Sequence, residues 1–213
     1  IAVGITILGL LLTFFLPKLP PIGGSLVRLP YFPKGSFPIN VSIAICWATT
    51  GVVIAIIPTQ LATFGFTAYA GFCLVLINWT GGFLQPIIRK HFQPATSLKL
   101  GFAIIPIGFG FVIAGSYFGL LPLVLLGTAC IGLAAYGFSY QGGLALIADL
   151  GGLQKARAVS GYMFFGYVGF GIPAVILGFL ADSIGIISSL MVFEITIIIL
   201  SLYLYFTFDQ QKK

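Results

Sequence analysis

The apolar residues of this chain come in long runs, separated by short gaps that hold most of its charge. As a helix, a run needs about 20 residues to cross a hydrocarbon core of about 30 Å. Seven segments read this way: Ile1–Leu16, Ile39–Thr63, Ala68–Ile88, Leu98–Phe118, Leu120–Ile147, Ser160–Ala181 and Ile186–Phe208. The first covers about 24 Å at 1.5 Å per residue, short for a crossing, and the other six are full spans. The chain opens without methionine, already inside an apolar run, and has neither a basic leader nor a small-residue cleavage site. It is therefore expected to begin partway through a helix. The alternating pattern of a membrane β-barrel does not occur. With 59% hydrophobic and 7% charged residues, against about 25% charged in soluble chains, no water-compatible surface can be assembled. The expected fold is all-α: a six-helix transmembrane bundle over residues 39–213, preceded by a partial helix (1–16) and a linker (17–38) rich in proline.

The net charge of +6 does not point to nucleic acid, because the cations are distributed over several gaps. Lys18, Arg28 and Lys34 occupy the first gap. Arg89, Lys90 and Lys99 lie in or beside the third, Lys155 and Arg157 in the fifth, and Lys212 and Lys213 in the tail. If the helices alternate in direction, all ten fall on one side. The gaps at Phe64–Thr67, around Gly119 and at Asp182–Gly185 hold no Lys or Arg. The positive-inside rule makes the basic side cytoplasmic and puts the C-terminus there. The expected location is the plasma (inner) membrane. Cys46, Cys73 and Cys130 fall inside apolar runs without metal-like spacing and read as small buried hydrophobes. No metal or cofactor is expected. With no histidine cluster, no paired carboxylates and no nucleophile elbow, neither is enzyme chemistry.

Three local patterns carry a family resemblance. Gly81-Gly82-Phe83-Leu84-Gln85-Pro86-Ile87-Ile88-Arg89-Lys90 keeps the first Gly and the basic pair of a G-x-x-x-D-x-x-G-R-[RK] loop, with Gln85 in place of the acid. Gly178 to Gly185 reads G-x-x-x-D-x-x-G, with Asp182 as the acid. Ala145 to Asp149, followed by Lys155-Ala156-Arg157-Ala158, is similar to a helix 10–11 connection. With its topology, the chain resembles the C-terminal half of a major facilitator superfamily transporter, from the end of helix 6 to helix 12. The resemblance implies alternating access, a missing N-terminal half, a small-molecule substrate and a lipid bilayer as partners. It makes Gly81, Gln85, Arg89, Lys90, Gly178 and Asp182 gating positions. It also implies that helices 7 and 10 line the cavity.

On helix 10, Gly132, Tyr136, Ser139, Tyr140 and Gly143 share a face by helical spacing; Tyr136, Ser139 and Tyr140 are substrate candidates, with a packing face as the alternative. On helix 7, Trp47, Thr50 and Gln60 are the polar or amphipathic candidates, and Pro58 is expected to interrupt the helix near its outer end. Asn78 on helix 8 is expected near mid-membrane, bonded to another helix or to a ligand. The glycines of helix 11 serve either bending or close packing. Glu194 is the one carboxylate deep inside a span and the candidate for proton coupling. Asp149 and Arg157 are expected to pair at the surface. With no Lys or Arg inside a span, a neutral, cationic or hydrophobic substrate fits better than an anion. The expected function is proton-linked antiport exporting a drug-like or neutral metabolite. Uptake of a small metabolite or anion, and a non-transporting membrane scaffold, are the alternatives.

Overall fold

The computed structural model describes residues 2–15 and 29–210. Lys18, Arg28, Lys212, Lys213 and most of the expected linker lie outside the described residues. The described chain is helical, with no strand. Its helices are α1 (Ala2–Thr13), α2 (Phe37–Thr63), α3 (Ala70–His91), α4 (Pro94–Phe118), α5 (Leu121–Gly132), α6 (Gln141–Gly151), α7 (Lys155–Ile184) and α8 (Ile186–Gln210). A π-helical segment, Leu133–Tyr140, joins α5 to α6 without a break.

Among the described residues, five helical stretches are long and apolar enough to cross a membrane. The fourth, Leu121–Ile184, has 64 residues, about 96 Å of helix, three times one crossing. It doubles back at Gly152, whose φ of 48° is one that side-chain-bearing residues rarely adopt. Beyond that turn α7 packs on α6: a Cβ on Gly151 would meet the Ala158 methyl at 2.7 Å, and Gly143 lies against the Tyr162 ring.

Large apolar side chains lie outside the bundle as well as in its core, and hydroxyls are buried among the core residues. Phe179, Tyr167, Ile199 and Phe206 are exposed, while Ser42, Thr49, Thr50, Thr128 and Ser189 are buried. Thr49 and Thr128 donate to carbonyls three and four residues back, which satisfies those two hydroxyls within their own helices. Helix α2 is the most enclosed element, with Ile43, Cys46, Val52 and Ile57 wholly buried. Gln60 Nε2 donates to the Ser116 carbonyl at 3.0 Å, tying the far end of α2 to that of α4. Replacing Gln60 by Met keeps the volume and removes that bond. The expected loss is about 0.6 kcal/mol, read from the unfolding midpoint in mixed detergent.

The observed boundaries depart from the expected ones in physically simple ways. Pro58 does not interrupt α2, which runs on to Thr63, and Pro86 likewise sits inside α3. Membrane-type helices tolerate proline where packing neighbours satisfy the freed carbonyl. Helix α7 begins five residues before the expected Ser160, because Lys155–Val159 packs on α6 despite its charge. All described side chains of α1 are exposed. Cys46 and Cys73 are buried, Cys130 is partly so, and all three are free thiols.

The six described Lys and Arg residues, Lys34, Arg89, Lys90, Lys99, Lys155 and Arg157, gather at one end of the bundle. They mark the start of α2, the end of α3 and the starts of α4 and α7. Lys99 Nζ stands 5.4 Å from the Tyr205 ring near the end of α8, so the C-terminal helix ends there too. The opposite end holds Phe64, packed against Gly119, and the exposed Asp182.

Candidate functional site

Three aromatic side chains from three helices meet on one face of the bundle. The Trp47 ring lies 6.5 Å from Tyr136 and 5.2 Å, edge-on, from Tyr167. Gly166 on α7 makes room for the indole: a Cβ there would stand 3.2 Å from the Trp47 ring. Trp47 is ten residues into α2, about 15 Å from the basic end and thus half-way across a 30 Å core. Trp47 and Tyr136 are half-buried, and Tyr167 is 67% exposed. The indole N–H is enclosed and has no acceptor. A buried donor without a partner is rare enough to need a reason. Here it offers a hydrogen bond at mid-span beside two phenol rings.

Tyr136 stands in the π-helical segment. Wider winding there leaves carbonyls poorly matched to the backbone ladder, and neighbouring side chains supply donors. Gln85 Nε2 donates to the Tyr136 carbonyl at 3.0 Å, and Tyr162 Oη reaches the Ser139 and Tyr140 carbonyls at 3.4 and 3.3 Å. Thr80 Oγ1 donates to the Leu76 carbonyl of its own helix at 2.6 Å and also stands 3.1 Å from the Ala129 carbonyl of α5. Glycine on both sides brings α3 close enough for this. A Cβ on Gly81 would strike the Gly132 carbonyl and Tyr136 Cβ, and one on Gly132 would strike the Ile77 carbonyl.

The π winding breaks the helical face expected for Gly132, Tyr136, Ser139, Tyr140 and Gly143. Tyr136 alone faces the notch. Ser139 is fully buried against Gly101 of α4, where a Cβ on Gly101 would fall on its hydroxyl. Tyr140 turns instead to a cavity at the basic end. Thr50 is buried behind the notch, and its hydroxyl donates to the Cys46 carbonyl at 3.1 Å. Asn78 is exposed on α3, and its Nδ2 donates to the Leu74 carbonyl of its own helix; among the described residues it bonds no other helix, which departs from the expected helix–helix bond.

The expected gating residues separate. Gly81 is a buried crossing point, and Gln85 is the tie between α3 and the π segment. Arg89 and Lys90 are exposed at the end of α3. Gly178 has open space around it and Asp182 is exposed, so neither forms a helix contact of the Gly81 kind. The expected Asp149–Arg157 pair does not form: Arg157 donates to Gln154 Oε1 at 2.9 Å and to the Leu29 carbonyl at 2.8 Å. Glu194 lies on the outer groove between α4 and α8, away from the notch. It faces Gly110, and Oε2 has no partner.

Sequence reasoning missed Tyr167. It stands one residue from Gly166, and glycine beside an aromatic on a helix rich in small residues was the available signal. Comparison with protein-family models, with curated proteins and with solved structures gives no match. The long apolar helical stretches, with large apolar side chains exposed along them, are those of a multi-pass membrane protein.

Proposed function

We propose that this chain is one half of a secondary transporter of the major facilitator type, moving a small molecule by alternating access. In this reading α1 is the end of helix 6. Helices α2, α3, α4, the continuous α5–α6 helix, α7 and α8 are helices 7 to 12. The basic end is cytoplasmic, the membrane is the plasma membrane, and the C-terminus lies inside.

The observation that carries the reading is the Trp47–Tyr136–Tyr167 notch. It lies at mid-span, on the face made by α2, the π segment and α7, and stays half open. Lipid alone does not call for phenols and an unpaired indole N–H at that depth, since aromatic anchors belong at the interfaces. An N-terminal half set against this face would close the notch into a cavity. Aromatic walls with a hydrogen-bond donor and no cation favour a neutral or cationic amphiphile. Export by proton antiport is the proposed direction. Glu194 stands apart from the notch, so any coupling through it acts on helix packing and not by contact with the substrate.

The test is counterflow of neutral and cationic amphiphiles by the full-length protein in proteoliposomes. Trp47→Leu is expected to lower exchange about fivefold, the loss of about one aromatic contact to the substrate, with melting temperature preserved. Exchange that is unchanged in Trp47→Leu and Tyr167→Leu alike, or absent for every amphiphile, refutes the reading.

A further inference from the structure

The basic end of the bundle holds a half-open cavity of about 700 Å³ between the end of α3, the start of α4, α6 and the start of α7. This is the size of a metabolite or lipid-headgroup site. Arg89 and Lys155 both line it, and no carboxylate does. Two further features point the same way. Helices α4 and α7 both open at this cavity, at Pro94 and Lys155. Their N-caps, Gln93 and Gln154, make no side-chain capping bond. The positive ends of both helix dipoles thus lie at the cavity without a capping side chain. Gln141, in the cavity wall, has an enclosed side-chain oxygen with no partner. Gln85, Ser97 and Tyr140 add polar groups to the wall, and Phe92, Ala148 and Val159 give it an apolar stretch. Helix ends place the site at headgroup depth.

We propose that this cavity binds the phosphate group of an amphiphilic anion. The phosphate meets Arg89 and Lys155, and the apolar body lies along Phe92, Ala148 and Val159. Arg89 supplies a two-pronged donor and Lys155 a point charge. The same chemistry is presented by an anionic phospholipid entering from the leaflet and by a soluble phosphate ester. Basic pockets between membrane helices are known to hold phospholipid headgroups. The site is separate from the aromatic notch, and its occupancy does not require that the protein transport anything.

The full-length protein in phosphatidylcholine nanodiscs is offered phosphatidylglycerol within the disc or glycerol 3-phosphate in the buffer, and retention is read by native mass spectrometry. Wild type retains one of them, and which one identifies the source. Arg89→Gln and Lys155→Gln each weaken retention about fivefold. Lys90→Gln removes a neighbouring exposed cation outside the lining and leaves retention unchanged. Both lining cations are exposed at helix ends, so their neutral variants keep the core intact. Ala148→Phe narrows the cavity beside its apolar stretch with every charge in place and weakens retention; if that variant does not fold, the two glutamine variants decide. Loss in Lys90→Gln equal to that in Arg89→Gln, or no retention of either probe by wild type, overturns the proposal.

Discussion

Gly169→Val is expected to cost about 3 kcal/mol, the upper end of overpacking penalties. For a chain of this size that lowers the melting temperature in detergent by about 6–12 °C. A Cβ at Gly169 would fall on the Ala44 carbonyl of α2, and one at Gly51 on the Phe170 carbonyl of α7. The two glycines thus set one crossing from both sides. The atoms in the way are backbone, so relief requires moving a whole helix, and α2 is the most enclosed helix of the bundle. Gly178→Val, nine residues further along α7, is the control. Nothing lies within 4 Å of a Cβ there, and the melting temperature is expected to hold within about 1 °C. A drop of equal size in both variants would mean that valine harms α7 through propensity and not through the crossing. The glycines of α7 therefore divide: Gly161, Gly166 and Gly169 serve close packing, while Gly171 and Gly178 have free space and remain the positions where bending costs least.

What was legible in the sequence followed from solvation. Apolar run length reports how much lipid a helix can cross, and charge avoids lipid regardless of tertiary contacts. The all-helical fold with long apolar stretches, and the gathering of the six described cations at one end, therefore came out as expected. Side-chain placement did not, because it depends on winding. Helical periodicity at 3.6 residues put Ser139 and Tyr140 beside Tyr136. The π segment turns more slowly, so one side chain went into the core and the other toward the basic end. No propensity marks Leu133–Tyr140 as π-helical. The cause is tertiary, in the Gly81–Gly132 approach and in the donors from Gln85 and Tyr162. Asn78 was misplaced for a related reason: position along a helix gives depth, while the face it points to depends on which neighbours the helix has. Pro58 was read as a break because that is its effect in water, and α2 is not in water.

In intact cells, Ser183→Cys is expected to react with a membrane-impermeant maleimide, and Gln154→Cys to react only after permeabilisation, with at least about tenfold between them, as the positive-inside rule requires. Both positions are exposed in the structure. They sit at opposite ends of α7: Gln154 just before its start, and Ser183 at its close before the left-handed Gly185. The native thiols give little background, since Cys46 and Cys73 are buried and Cys130 is half-buried within α5. The experiment decides more than orientation. Arg157 and Lys155 flank the turn that Gln154 occupies, and Lys155 lines the phosphate-sized cavity. If Gln154→Cys labels from outside, that cavity opens to the outer leaflet, where anionic lipid is scarce, and a soluble anion becomes its occupant. The notch at mid-span would stay where it is, but its half-open face would then serve uptake as readily as export. Equal labelling of both positions would mean that α7 does not cross the bilayer, and the aromatic notch could not then lie on a transport path.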